Sequence, residues 1–174
     1  MYLRHFSLRE APFSITPDTA FFYPHEDAQA ALNTLLVALR GGEGFLKIVG
    51  AVGCGKTLLC RQLLRTVQDE FVTAYIPNPY MGAEDFVLAV AQEIATNLVP
   101  PLSRHQVLAD LQAGLLRHAD AGRPVLVCVD EAQATRMATL EGLRRPSHLR
   151  QDARQPVPPL LVGPTEPRAP SAPP

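Results

Sequence analysis

The sequence predicts an α/β fold: a parallel sheet with helices on both faces. Three observations carry that prediction. Apolar runs of strand length alternate with segments of helical period. One run, Pro124–Val129, is nearly all apolar, as a strand covered on both faces requires. A glycine-bearing motif sits where a strand hands over to a helix.

Each element follows from its own residues. The first 24 residues hold Phe6, Pro12, Phe13, Pro17, Phe21, Phe22, Tyr23 and Pro24, which points to an irregular arm. From Glu26 to Arg40 the residues Ala28, Ala31, Leu32, Leu35, Leu36 and Leu39 recur at steps of three and four, the helical period. Gly41-Gly42 end that helix. Phe45–Val49 is a short apolar run closed by Gly50, hence a strand. A helix follows over 56–68, a strand over 71–76 and a helix over 83–97. Pro100-Pro101 then interrupt the chain, and Ser103 is placed to cap a helix over 105–119 with the stripe Val107, Leu108, Leu111, Leu115 and Leu116. Gly122 ends it, and the strand 124–129 follows.

Bulk composition narrows the function classes. At 174 residues, 47% apolar and 19% charged, the chain suits one globular domain. A net charge of −1 gives no general attraction for nucleic acid or anionic lipid, and the only dense basic stretch is Arg144–Arg154. The three cysteines, Cys54, Cys60 and Cys128, have no zinc-ligand spacing and an odd count, so reduced thiols are expected. The start has no signal-peptide core, and no apolar run approaches the roughly 20 residues that span a bilayer. A cytoplasmic chain is expected, reaching the inner face of a membrane only through partners.

Gly50-Ala51-Val52-Gly53-Cys54-Gly55-Lys56-Thr57 fits the phosphate-loop pattern at every fixed position. A loop closing on phosphates turns its backbone N–H groups inward, and glycines permit the dihedrals and close approach. The helix starting near Lys56 adds its positive dipole end. Lys56 is expected on the β- and γ-phosphates of ATP and Thr57 on Mg²⁺. Cys54 occupies a variable position and reads as a small space-filling side chain.

The strand 125–129 ends in Asp130-Glu131. Asp130 is the second candidate ligand for the Mg²⁺ held by Thr57, and Glu131 the candidate to polarise an attacking water. Lys56 and Glu131 are therefore the candidate catalytic residues. Gln133 follows as a candidate contact to phosphate or water, or as a plain loop residue. His105 and His118 are read as surface residues of their helix.

With both halves in place, the sequence resembles the bacterial AAA+ ATPases of the general-secretion-pathway A type, closest to the branch linked to mannose-sensitive haemagglutinin pilus biogenesis. The matching segments are Met1–Phe6, Ala11–Asp18, Gly42–Phe45, the phosphate loop, Ala74–Pro79 and Val129–Gln133. The resemblance implies a P-loop NTPase sheet of the AAA+ type and ATP hydrolysis coupled to assembly of a pilus or type II secretion machine. It also implies a homo-oligomer with envelope partners. In such relatives the N-terminal arm lies near the adenine, which makes Pro12, Phe13 and Phe22 candidates for base contact or simply for packing. Some members continue into a transmembrane segment and a peptidoglycan-binding region; neither is read in this chain.

The resemblance is expected to stop near residue 144. Relatives continue with a leucine-rich helix, a strand ending in a polar sensor, an arginine finger and a helical lid. Here nine of the 17 prolines fall between Pro146 and Pro174. That density argues against helix and central strand. The expected division is an arm over 1–24, a partial core over 25–144 and a disordered tail over 145–174. Leu160–Gly163 is at most a remnant of the sensor strand, with Pro164 where a polar residue is expected, and a core edge is left open. Only two of the 16 basic residues are lysine, which fits a GC-rich gene and suggests a frameshift near 144; sequencing the locus for an uninterrupted homologous frame decides this. Two other functions compete. One is a truncated nucleotide-binding fragment with little turnover. The other is an ATPase regulating transposition or replication, which would need a basic DNA-binding face not seen upstream of Arg144. No base-reading motif separates ATP from GTP.

Overall fold

The computed structural model describes residues 2–9, 19–77, 80–94, 103–134 and 159–164. Four strands form one sheet: β1 (Leu46–Gly50), β2 (Val72–Ile76), β3 (Val125–Val129) and β4 (Pro159–Pro164). Their order is β1-β4-β3-β2 and every pairing is parallel. The helices are α1 (Tyr2–His5), α2 (Glu26–Arg40), α3 (Lys56–Val67), α4 (Ala83–Ile94) and α5 (Arg104–Asp120).

Strand alternation divides the core into two layers. On β3, Leu126 and Cys128 face the layer built with Leu32, Leu35 and Leu39 of α2 and Cys60, Leu63 and Val67 of α3. Val125, Val127 and Val129 face the layer of Phe86, Val90 and Ile94 of α4 with Val107 and Leu111 of α5. Burial on both faces explains the uninterrupted apolar run in β3.

Helix ends follow local chemistry. Ser103 Oγ accepts from the Gln106 backbone N–H at 3.3 Å while Gln106 Oε1 accepts from the Ser103 N–H at 2.8 Å. This reciprocal cap starts α5 one residue earlier than expected. Gly122 closes that helix in a left-handed conformation, φ 72°. His105 is exposed as expected. His118 is not a plain surface residue: it is half-buried, with Nε2 3.1 Å from the Ile94 carbonyl at the end of α4. The arm is less irregular than expected, since it contains α1 and a 3₁₀ turn at Thr19–Phe21. Arg65 Nη1 donates to Thr19 Oγ1 at 3.2 Å and so ties that turn to α3.

The main correction concerns Leu160–Gly163. These residues are not part of a tail: β4 lies in the middle of the sheet, pairing Leu46 to Leu160 on one side and Cys128 to Leu160 on the other. Leu160, Leu161 and Val162 are buried, so the sheet extends past the expected boundary at 144 and β4 fills the position expected to be vacant. The prolines do not prevent this because Pro159 and Pro164 stand at the two ends of the strand, leaving the interior residues with backbone donors for the ladder. The remaining tail expectations, for 145–158 and 165–174, lie outside the described residues, as do Pro12, Phe13 and residues 95–97.

Candidate functional site

β1, β3 and β4 all run parallel and end at the same edge of the sheet. At the end of β1, Gly50 turns the chain into the loop that leads to α3. The close approach at Gly50 is specific: a Cβ there would come within 2.7 Å of Cys54 Sγ. Cys54 Sγ thus lies against the strand end, with the side chain exposed. Gly53 and Gly55 adopt φ of 81° and 84°, where side chains are strained. Gly55 is the N-cap of α3 and has no side-chain cap hydrogen bond, so the first N–H groups of the helix open onto the loop. Ala51 and Val52 lie exposed in the loop. Lys56 folds back over it, donating to the Gly50 carbonyl at 3.0 Å and the Ala51 carbonyl at 2.7 Å.

Asp130 continues the alternation of β3, which puts it on the α2/α3 face, the face from which α3 and Thr57 start. It is 4% exposed and is the one buried charged side chain among the described residues. Its Oδ1 accepts from the Glu131 N–H at 3.0 Å, and its Oδ2 accepts from the Tyr75 hydroxyl at 3.0 Å. Burial pushes the Tyr75 phenol up to about 12, with Arg61 pulling the other way and the Asp130 charge adding to the rise. Tyr75 therefore remains a donor at neutral pH. The Arg61 guanidinium carbon lies 5.6 Å from the Tyr75 ring centroid.

Glu131 leaves the strand with φ 51°, an uncommon conformation for a residue with a side chain. The change of direction turns its carboxylate outward, and it is exposed while Asp130 is buried. Gln133, in the 3₁₀ turn Ala132–Ala134, donates through Nε2 to Glu131 Oε2. Gln133 also lies against the end of β4, where a Cβ on Gly163 would come within 2.9 Å of its Oε1.

The structure thus brings Gly50–Thr57, Asp130, Glu131 and Gln133 to one end of the sheet, with β4 between the two acting strands. At ordinary spacing the backbones of β1 and β3 are roughly 10 Å apart there. Cys60 and Cys128 lie beneath, buried and free. A hydrogen bond to Cys60, and then burial, push the Cys128 thiol far up, which leaves it inert. Phe22 is half-buried in the arm. Three contributors were missed in the sequence: Tyr75, Arg61 and Gly163. Tyr75 had a readable signal, since alternation turns it away from Ala74 and Ile76 and toward Asp130.

A family match to the AAA domain runs over residues 39–169. The chain belongs to the AAA-domain family. The chain is 34% identical over 166 residues to General secretion pathway protein A of Aeromonas hydrophila, covering 95% of this chain and 30% of that protein. The chain therefore spans less than a third of this relative's length. Similarity does not stop near residue 144, because the family match continues through β4. The crystal structure of Cdc6p from Pyrobaculum aerophilum superposes with a TM-score of 0.62 at 18% identity, over 89% of this chain and 42% of that one. That likeness concerns the fold alone. Among the described residues no helix is long and apolar enough to cross a membrane.

Proposed function

We propose that this AAA+ chain binds ATP with Mg²⁺ at Gly50–Thr57 and Asp130 and hydrolyses it, coupling hydrolysis to assembly of a pilus or type II secretion machine. The observation that carries the reading is the open N-terminus of α3, framed by Gly53 and Gly55 at positive φ, on the same sheet face as buried Asp130. Backbone N–H groups and a helix dipole suit an anion, and a buried carboxylate calls for a cation. These residues fit a magnesium nucleotide.

In this reading the loop N–H groups hold the phosphates. Lys56 exchanges its two carbonyl partners for phosphate oxygens, and Thr57 and Asp130 hold Mg²⁺. Bound there, Mg²⁺ supplies charge neutralisation on the phosphate oxygens. Glu131 accepts a proton from the attacking water as that water enters. Phe22, in the described part of the arm, lies against the base, a reading supported by the Arg65–Thr19 bond that ties that turn to α3. Copies of the chain act together with envelope secretion or pilus components at the inner face of the membrane, in line with the secretion protein that the chain resembles.

A second reading, nucleotide binding with little turnover, draws on one contact: Gln133 engages the Glu131 carboxylate that would take up the proton. Calorimetry and steady-state ATPase measurements separate the two. Lys56→Ala is expected to weaken nucleotide binding by about 10- to 100-fold, the worth of charged hydrogen bonds. Glu131→Gln should leave binding in place and reduce turnover by roughly 10²–10⁴. Turnover that survives Lys56→Ala refutes the site. Competition with GTP tests the choice of base.

A further inference from the structure

Asp130 is held by a residue on a different strand. Tyr75 pairs in register with Cys128, two positions before Asp130, and an aromatic side chain can reach such a diagonal neighbour. Ala74 and Ile76 point into the α4/α5 layer, so Tyr75 points to the opposite face, beneath α3. Its hydroxyl meets Oδ2 at 3.0 Å, while the Glu131 N–H meets Oδ1 at 3.0 Å. Two donors from different directions, one on each oxygen, fix the rotation of the carboxylate. Phenylalanine would fill the same half-buried space, so packing alone does not call for the hydroxyl.

The other side of the ring meets α3. Arg61 lies four residues after Thr57, hence on the same helical face, and its guanidinium sits 5.6 Å from the Tyr75 centroid. Tyr75 therefore touches both halves of the site: the helix that begins at Lys56 and the carboxylate at the end of β3.

We propose that Tyr75 is a positioning residue for magnesium, which orients Asp130 through its hydroxyl and registers that carboxylate against α3 through Arg61. This inference rests on the nucleotide reading above and names a part of it. A carboxylate that rotates freely loses affinity for the metal–nucleotide complex without losing the phosphate grip of the loop. Removing an outer hydrogen-bond partner of a metal ligand typically costs 10- to 100-fold in metal affinity.

The test is calorimetric titration of the 174-residue chain with the non-hydrolysable analogue adenylyl imidodiphosphate, with EDTA and across a magnesium series. Tyr75→Phe should raise the magnesium concentration for half-maximal enhancement about tenfold. Its metal-free affinity should stay within twofold, with the thermal midpoint close to that of the parent. Arg61→Met should give a smaller shift in the same direction. In an Asp130→Asn background, Tyr75→Phe should add nothing, because the two act as one unit. An unshifted magnesium requirement in Tyr75→Phe overturns the positioning role alone. Equal losses with and without magnesium also overturn it, since they mark a structural effect. A parent chain with no magnesium-dependent uptake overturns the nucleotide reading, and this proposal with it.

Discussion

β3 and β4 are neighbours with nearly the same burial, yet only one was legible in the sequence. Both are apolar and covered on two faces, and both end beside the candidate site. β3 follows a clean helix stop at Gly122 and closes on Asp130, so its context announces it. β4 lies in a stretch crowded with prolines, and its context argues against it. The difference teaches that proline density is a poor guide unless position is considered. Pro159 and Pro164 bound the strand, and between them Leu160–Gly163 keep every donor the ladder needs.

The most direct way to break this comparison is to cut the same volume from each strand. Leu160→Ala and Leu126→Ala should each cost about 2–5 kcal/mol in urea unfolding, as buried leucines do. A loss below about 1 kcal/mol for Leu160 alone, with the full loss for Leu126, would remove β4 from the sheet.

A finer comparison sets the glycine ending β1 against that near the end of β4. Gly50→Ala forces its Cβ toward Cys54 Sγ, and Gly163→Ala forces its Cβ toward Gln133 Oε1. Each should cost about 1–3 kcal/mol or less, since a side chain must yield. Gly50→Ala should recover part of its loss in a Cys54→Ala background, whereas Gly163→Ala should not. A double-mutant cycle with no coupling at Gly50 would show that the close approach is unimportant.

The smallest effect is expected far from this sheet edge. Arg40 and Glu70 form an exposed ion pair at 2.6 Å, and the hydrogen bond from Arg40 holds the Glu70 carboxyl below its usual range. A lowered folded value means that the pair's contribution is complete above the ordinary glutamate range, near 4.3, and is lost as pH falls through the lowered value. Glu70→Gln should therefore change stability only slightly at pH 7, and added salt should shrink the difference. A loss comparable to that of Leu160→Ala would show that surface pairing, not the sheet, dominates here.

The rest of the fold was legible for identifiable reasons. α2, α3, α4 and α5 each carry an apolar stripe of helical period, and Ser103, Gly41-Gly42 and Gly122 punctuate them. The phosphate-loop residues and Asp130 were legible because strand–loop–helix geometry demands particular residue types at particular spacings. Arg61 and Gly163 were not, because their partners, Tyr75 and Gln133, lie far away in the chain; for Tyr75, alternation gives the face but not the register that sets it beside Asp130. No local pattern encodes that register. Gln133 fell between these cases: its candidacy was visible, but its partners, Glu131 and the end of β4, were not.

The central position of the last described strand bears on how the molecule is made. A ribosome delivers β1, β2 and β3 first, and these cannot join into one sheet because β1 and β3 meet only through β4. Until residues 159–164 emerge, β1 and the β2–β3 pair have no strand to join them. The chain thus assembles like an arch, loose on both sides until its keystone drops in, and its most exposed moment comes just before synthesis reaches that strand.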